Sequence, residues 1–340
     1  MKRWETLNKL QIANSKLQID KLIKLLLENR SIKTKKETLE FLNPKLEDVT
    51  VQSVGISKNE LKRAITRIKK AIKDNEQIVV FGDYDVDGIC GAAILWETLN
   101  SLGAKVLPYI PHRIDEGYGI SLRSIANLKK QISNTKLIIT VDNGIVANEP
   151  VDFAKKNGID VIITDHHVPG KKLPRALAIV HTTKLCGAAV GYILSLALRS
   201  LRQSAPRAFD PHLELAALAS VADLVPLIGP SRTITKYGIE ALRKTKRVGI
   251  LALLEQARIY ANQIGTYEIG HIIAPRINAM GRMESAMDSL RLLCTRNKDR
   301  AKLLAHKLSF TNVERQKTTE EAVAHAISNF KWPKIIVHCA

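Results

Sequence analysis

Three short apolar runs in this sequence each end in a cluster of polar residues. The runs are 77–81, 137–141 and 161–164, and the residues that follow them are Asp83, Asp85 and Asp87; Asp142 and Asn143; and Asp165, His166 and His167. If the runs are neighbouring strands of a parallel sheet, their carboxyl ends meet at one edge, where open sheets place their binding sites. The sequence therefore predicts one crevice lined with carboxylates and imidazoles.

The segments between residues 77 and 180 alternate between strand-like and helix-like patterns. Strands are predicted at about 77–82, 105–110, 136–141 and 160–164, and helices at about 89–102, 120–131 and 147–157. Such a βαβ series gives an α/β fold, with a mainly parallel sheet flanked by helices. A helical segment and a long connecting helix are predicted after it. Before it, residues 57–75 predict a basic amphipathic helix whose lysines and arginines, Arg67 among them, form the solvated face.

Asp83, Asp85 and Asp87 stand on alternate positions directly before Gly88. Three carboxylates this close repel one another unless positive charge lies among them, so the segment is a candidate site for divalent cations. Aspartate and glycine also cluster in ordinary turns, and one acidic turn would not decide between the two interpretations. The further clusters at the other predicted strand ends favour the metal site.

Four motifs, in this order, resemble the DHH phosphoesterase superfamily and its branch of RecJ-type single-strand exonucleases. They are GDYDVDG at 82–88, VDNG at 141–144, DHH at 165–167 and SVAD at 220–223. The resemblance spans about residues 80–282 and implies a metal-dependent phosphoesterase. Asp223 closes a predicted helix and would face the negative end of its dipole, a position that a cation stabilises.

The resemblance also implies residues that bind the substrate phosphate. Arg113 lies after the second predicted strand, in a segment similar to the family's PxR…EGYG loop. Arg276, Asn278 and Arg282 lie in PRINAMGR at 275–282, which resembles the family's PRxNAxGR segment. Its arginines can bind phosphate through two hydrogen bonds, and the alternative is an ion pair that joins two helices. His181 stands where the family usually has an Asn-Pro pair, and we leave it out of the metal set.

Mixed carboxylate and imidazole ligands favour Mn²⁺ or Mg²⁺, and phosphodiester hydrolysis suits two such ions. We expect Asp85 and His166 to hold separate ions, and Asp165 to orient the histidine pair. The full expected sets are the metal ligands Asp83, Asp85, Asp87, Asp142, His166 and Asp223; the catalytic residues Asp142, Asp165, His166 and His167; and the phosphate-binding residues Arg113, His167, Arg276, Asn278 and Arg282.

The overall charge of the chain favours a polyanionic partner. Its 340 residues include 52 lysines and arginines against 33 aspartates and glutamates, a formal net charge of +19. A basic body around an acidic cleft suits nucleic acid, although a high lysine content also occurs for solubility or in biased genomes. The 4 scattered cysteines contain no CxxC pair and indicate free buried thiols. Without a visible secretory signal or a membrane-length apolar stretch, a cytoplasmic protein is expected.

The predicted domain organisation has five parts. They are a helical lead at 1–50, a catalytic α/β domain at 51–225, the helical part of the same core at 226–296, a connecting helix at 297–330 and the start of a further domain at 331–340. Residues 334–338 have the pattern of an opening strand. Relatives of the RecJ type continue from this point into DHHA1 and OB-type domains, so the sequence is interpreted as lacking them.

The function predicted from these features is 5′→3′ exonuclease action on single-stranded DNA in repair and recombination. Single-strand-binding proteins and helicases are candidate partners, and no membrane partner is expected. One alternative is a small-substrate DHH phosphoesterase that cleaves short oligonucleotides, cyclic dinucleotides or pyrophosphate. Another is a truncated, non-catalytic nucleic-acid-binding protein, which the intact set of acidic and histidine residues disfavours. A nucleotide-driven motor is disfavoured because the sequence contains no GxxxxGK[ST] loop.

Overall fold

The computed structural model describes residues 19–200, 210 and 212–329. The chain forms two compact units, of which the first ends at residue 45 and the second begins at residue 46. The first unit contains α1 (Ile19–Glu28) and α2 (Lys35–Leu42). The Thr34 hydroxyl accepts a hydrogen bond from the Glu37 N–H, and the Glu37 carboxylate accepts one from the Thr34 N–H. This reciprocal capping fixes the start of α2. The strand predicted at 334–338 lies outside the described residues.

The second unit is built on a five-stranded sheet in which every strand runs parallel to its neighbours. The strand order is β2-β1-β3-β4-β5. The strands are β1 (Gln77–Phe81), β2 (Val106–Tyr109), β3 (Thr135–Val141), β4 (Asp160–Asp165) and β5 (Ala178–His181). Their carboxyl ends are in register, with Phe81 opposite Tyr109 and Val141 opposite Thr164. The α/β prediction is therefore confirmed, and the polar residues after the strands meet at one edge.

The helices of the second unit cover both faces of the sheet and extend beyond it. The described α-helices are α3 (Lys58–Lys73), α4 (Val86–Ser101), α5 (Arg113–Glu116), α6 (Leu122–Gln131), α7 (Asn148–Lys156), α8 (Gly187–Arg199), α9 (Leu213–Ala222), α10 (Gly229–Leu242), α11 (Val248–Ala257), α12 (Ala274–Met283), α13 (Met287–Cys294) and α14 (Lys298–Asn329). Shorter turns are 3₁₀ at Leu46–Asp48 and Ala261–Gln263, and π-helical at Glu268–Ile273.

Two boundaries differ from the prediction. The helix α4 begins at Val86 rather than near 89, because the Asp85 carboxylate accepts a hydrogen bond from the Gly88 N–H, 3.0 Å away, and caps the helix. Asp87 therefore lies in the first helical turn and not in a loop. The segment after β2 contains the short helix α5 where only a loop was predicted.

Side chains of the strands alternate between two apolar cores. Ile78 and Val80 point into a large core with α4 and α8, whereas Val79 and Phe81 pack in a smaller core with α6 and α7. All five residues of β1 are buried. A sheet covered on both faces requires continuous apolar strands, which is the pattern that the sequence contains. The two layers of helices leave the carboxyl edge of the sheet for the polar residues.

The helix α3 corrects one prediction. Its basic residues were expected to form a solvated face, but the side chain of Arg67 is only 10% exposed. The guanidinium lies 2.7 Å from a Glu76 carboxylate oxygen and 2.6 Å from one of Asp160, the first residue of β4. Arg67 thus joins α3 to the amino edge of the sheet, opposite to the clustered aspartates. Sequence periodicity predicts the helix that contains Arg67 but does not show the long-range partners of its side chain.

The helix α14 is a single helix of 32 residues. Its first half packs on the second unit through buried residues that include Leu304 and Leu308. Every described residue from 316 onward is exposed. Among the described residues, no helix combines the length and the apolarity that crossing a membrane requires.

The Arg67 ion pairs give a first prediction, on stability. Arg67→Ala should lower the free energy of unfolding by about 2 kcal/mol, because hydrogen bonds to charged groups contribute roughly 1.5–3 kcal/mol and Asp160 is partly exposed. Arg63→Ala is the matched control, since Arg63 is exposed and pairs only within the helix with Glu60; its loss should change less than about 0.5 kcal/mol. Urea denaturation measures both. Equal effects of the two substitutions would show that Arg67 does not clamp α3 to the sheet.

Candidate metal centre

Carboxylates and one imidazole converge at the carboxyl edge of the sheet. The Nε2 atom of His166 lies 3.1 Å from Oδ1 of Asp142, 3.5 Å from Oδ2 of Asp223 and 3.6 Å from Oδ2 of Asp87. These residues come from the ends of β3 and β4, the end of α9 and the first turn of α4. Four segments that are far apart in the sequence thus meet within 3.6 Å of one imidazole nitrogen.

The described acidic and histidine side chains form three overlapping groups that could each hold a cation. In each group, one ligand atom of every member lies within 4.8 Å of the others. The groups are Asp83, Asp85 and Asp142; Asp87, His166 and Asp223; and Asp142, His166 and His167. All six residues that the sequence predicted as metal ligands are therefore brought together. The first two groups share no residue, and the third connects them.

The carboxylate of Asp87 accepts hydrogen bonds from the start of another helix. Its Oδ2 accepts a hydrogen bond from the Gly187 N–H at 2.6 Å, and its Oδ1 accepts one from the Ala188 N–H at 2.7 Å. These are the first two residues of α8, whose N–H groups have no partner within the helix and attract negative charge. These two N–H donors favour the anionic form of Asp87 and offset part of the cost of its burial.

Asp142 is held in an unusual backbone conformation. Its φ is 64°, in the left-handed region that side chains other than glycine rarely adopt. The start of α8 lies directly against it: a Cβ atom at Gly187 would come within 2.6 Å of the Asp142 Cβ. Glycine at 187 is therefore required by close approach, and the first residue of α8 is part of the site.

Asp165 organises the histidine pair. Its Oδ1 accepts hydrogen bonds from the His166 N–H at 2.7 Å and the His167 N–H at 3.2 Å, and lies 2.8 Å from Nδ1 of His167. Its Oδ2 accepts a bond from the Ile145 N–H at 2.8 Å. Burial alone would raise the pKa of Asp165, but these donors hold it below its ordinary value. The bond to Asp165 in turn raises the pKa of His167.

Four other carboxylates of the site have raised pKa values. Burial, with the charge of Asp85 added, raises the pKa of Asp83 to about 7 and that of Asp223 to about 6. Burial and the charge of Asp223 raise the pKa of Asp87 to about 7. Burial and the charge of Asp87 also raise the pKa of Asp142 well above its usual range. The protein's own groups therefore do not neutralise this cluster.

Several buried ligand atoms have no hydrogen-bond partner within the described part of the chain. They are Oδ1 of Asp83, Oδ1 of Asp142 and Nε2 of His166. Burial and the neighbouring His167 lower the pKa of His166 to about 4, so its ring is neutral and can bind a metal. Unpaired buried oxygens together with a neutral imidazole are the donor set of a site for Mn²⁺ or Mg²⁺. The residues thus fit divalent cations.

The predicted phosphate-binding residues outside the DHH motif differ in their contacts and exposure. The guanidinium of Arg113 lies 5.1 Å above the centre of the Tyr84 ring. Oδ1 of Asn278 accepts a hydrogen bond from the Val86 N–H at 2.8 Å, so Asn278 holds the start of α4. Arg282 is exposed. Arg276 is half-buried and donates to the Ile272 carbonyl at 2.7 Å. The sequence analysis left an ion pair between two helices as the alternative role of Arg276 and Arg282. Within the described residues, neither arginine forms such a pair.

Two side chains at the site were not assigned a role from sequence. The Tyr118 hydroxyl lies 3.3 Å from Nε2 of His167, and the His181 ring lies 2.7 Å from the His167 carbonyl oxygen. His181 is the last residue of β5 and pairs in register with Asp165, which explains its position. Tyr118 lies in the EGYG segment, but its contact with His167 becomes visible only in the folded structure.

Comparison with known proteins identifies the family. The model of the DHH family, N-terminal domain, matches residues 77–222. A crystal structure of exonuclease RecJ bound to manganese is 34% identical, with a TM-score of 0.73, and the match covers 80% of this chain and 70% of that one. The chain belongs to the DHH family, on its RecJ branch.

Other RecJ proteins agree with this placement. The single-stranded-DNA-specific exonuclease RecJ of Bacillus subtilis is 36% identical over 338 residues, which are 96% of this chain and 42% of that protein. Thermus thermophilus RecJ has been solved with Mn²⁺ and with Mg²⁺, at TM-scores of 0.74 and 0.66 and identities of 30% and 29%. The matches cover 90% and 91% of this chain, and 44% and 41% of the other. The DHH chain described here spans about two fifths to one half of the length of the curated RecJ relatives.

The raised pKa values give a second prediction, on pH and metal binding. Unfolded aspartates titrate near 3.9, so between about pH 4 and 7 the folded, metal-free DHH protein keeps protons on Asp83, Asp87 and Asp223 that the unfolded chain has lost. The stability contributed by Asp83, Asp87 and Asp223 should therefore fall as pH rises through this window. Because Mn²⁺ competes with these protons, it should raise the melting temperature by several degrees at pH 7.5 and by less at pH 5.5.

Thermal denaturation in chelator and in Mn²⁺ measures both effects. Asp83→Asn removes one of the titrating groups, so its metal-free melting temperature should fall less between pH 5.5 and 7.5 than that of the unmodified protein. A melting temperature at pH 7.5 that does not respond to Mn²⁺ would contradict the metal site.

Proposed function

We propose that this chain is a metal-dependent phosphodiesterase that removes nucleotides from the 5′ end of single-stranded DNA. The observation that carries the proposal is the pair of separate ligand groups, Asp83–Asp85–Asp142 and Asp87–His166–Asp223, at one sheet edge. Two neighbouring cation sites are the arrangement used to displace one phosphate ester oxygen by water. The RecJ relatives, described as single-stranded-DNA-specific exonucleases, and the structures with Mn²⁺ and Mg²⁺ support the same assignment.

Divalent cations bound by these groups supply stabilisation of the charge on the phosphoryl oxygens and activation of water. The chain's own residues bind and orient the substrate. Arg113 and Arg282 are exposed, carry no described ion pair and are free to contact phosphate oxygens. Arginine presents a planar fork of donors that matches a phosphate group.

His167 is the group proposed to move a proton. Nδ1 of His167 is bound to Asp165, which leaves Nε2 directed toward Tyr118. The bond to Asp165 raises the pKa of His167, which favours the protonated ring. The Nε2–H group can therefore contact the phosphate or donate its proton to the oxygen that leaves. Asp165 stays anionic and fixes the ring, as carboxylates do in catalytic histidine pairs.

The positive charge of the chain supports a long polyanion as the substrate. The formal net charge is +19, although the conspicuous carboxylates lie inside the site. A basic surface around an acidic cleft attracts nucleic acid and leaves the charge of the cleft to the cations. Repair and recombination as the setting, a cytoplasmic location, and single-strand-binding proteins or helicases as partners are parts of the same proposal.

The third prediction tests the activity directly. With Mn²⁺, the purified chain should release mononucleotides stepwise from the 5′ end of a labelled single strand and leave the matching duplex uncut. Asp142→Asn should reduce the rate by more than about 100-fold, since loss of even an outer partner of a metal ligand typically costs 10–100-fold. Asp152→Asn is the matched control, because Asp152 pairs with Arg175 away from the site; its rate should be unchanged.

Other outcomes have defined meanings. Release from the 3′ end would contradict the proposed polarity. Hydrolysis of dinucleotides or pyrophosphate without hydrolysis of the long strand would assign the chain to the small-substrate phosphoesterases. Strand binding with no hydrolysis of any substrate would leave a nucleic-acid-binding protein.

A further inference from the structure

An exposed pair of stacked rings lies on the segment that leads into α12. The rings of Tyr267 and His271 are parallel within 18°, and their centres are 4.6 Å apart. Tyr267 is 62% exposed, and His271 is exposed as well. The pair spans the start of the π-helical turn Glu268–Ile273. Such turns are rare and frequently occur at functional sites. Large aromatic surface left in water is a candidate recognition element.

The turn that carries the ring pair lies against α9, the helix that ends at Asp223. Gly270, in the same turn, approaches the end of α9: a Cβ atom at Gly270 would lie 3.9 Å from Cγ1 of Val221. Val221 comes two residues before Asp223, whose carboxylate is 3.5 Å from His166. The helix α12, which follows the turn, contacts the start of α4, because Asn278 accepts a hydrogen bond from the Val86 N–H. The segment that carries the rings is therefore joined to two helices whose ends hold candidate metal ligands.

A guanidinium with no acidic partner in the described part of the chain follows the turn that carries the rings. Arg276 follows the turn and donates one hydrogen bond to the carbonyl of Ile272. Its buried Nε atom has no hydrogen-bond partner in the described chain. Burial lowers the pKa of Arg276, and no carboxylate raises it. A partly desolvated guanidinium of this kind lacks a counter-ion, which an incoming phosphate would provide.

We propose that Tyr267 and His271 form a stacking platform for a base of the single strand whose phosphate lies at the metal centre. The proposal rests on the proposed function and adds a subsite to it. Aromatic rings beside a phosphate-binding cation are the elements from which single-strand binding surfaces are built. Bases within a duplex are already stacked and cannot use such a platform. The ring pair therefore favours single strands over duplexes without reading the sequence.

The experiment measures KM and kcat for a single strand with Mn²⁺. Tyr267→Ala should raise KM by about 5- to 150-fold, the range that corresponds to one base–aromatic stack, and leave kcat within about twofold. Tyr267→Phe keeps the ring and should behave as the unmodified protein. Tyr260→Ala is the matched control, because Tyr260 is 75% exposed but not stacked on His271; it should leave KM unchanged.

A second substrate separates stacking from other roles of Tyr267. On a strand whose nucleotides after the first lack bases, the unmodified protein should lose the stacking contribution and Tyr267→Ala should raise KM no further. An equal loss on both strands would show a structural role and overturn the platform. An unchanged KM for Tyr267→Ala, with normal cleavage, would overturn it as well. If sedimentation shows instead that Tyr267→Ala dissociates a dimer, the surface is an interface between copies and the platform is wrong.

The proposed function itself fails in a different way. If the unmodified protein neither binds nor cleaves a single strand, the exonuclease assignment is wrong before any variant is compared.

Discussion

The repulsion among buried carboxylates at the sheet edge is the constraint on which the rest of this structure depends. Asp83, Asp87 and Asp142 are each at most 2% exposed, and two charges about 4 Å apart interact by roughly 4 kcal/mol at an effective dielectric constant of 20. The start of α8 compensates Asp87 with two N–H donors. Buried oxygens of Asp83 and Asp142 remain without donors. The fold thus brings the carboxylates together and leaves part of their charge for bound cations.

Packing around the edge serves this arrangement. Gly187 lets α8 approach Asp142, and Gly281 lets α12 approach the carbonyl of Tyr84, which a Cβ atom would obstruct. Asn278 then fixes the start of α4 through the Val86 N–H. The helical part after residue 226 is therefore tied to the motif that contains the aspartates. Packing of this kind fixes the ligand side chains at separations that suit a shared cation better than separate protons.

Sequence alone predicts the parts of this site that depend on local pattern. The alternating pattern located four strands, because the strands are buried on both faces. The polar ends of three of them located every member of the two ligand groups except Asp223, which the SVAD motif at the end of a predicted helix supplied. The start of α4 was missed since Asp85 looks like a loop residue until its bond to Gly88 is seen. Arg67, Tyr118 and His181 depend on partners distant in sequence, and periodicity does not report such contacts. The stacked pair of Tyr267 and His271 likewise arises from a π-helical turn that no sequence signal indicated.

The most direct test of the central claim is the number of Mn²⁺ ions that the folded chain binds, measured by titration calorimetry and by the paramagnetic resonance signal of free Mn²⁺. Two ions per chain are predicted, because Asp83–Asp85–Asp142 and Asp87–His166–Asp223 share no residue. Asp223→Asn should weaken one site and spare the other. Absence of saturable binding, or one ion bound equally well without Asp223, would contradict the account.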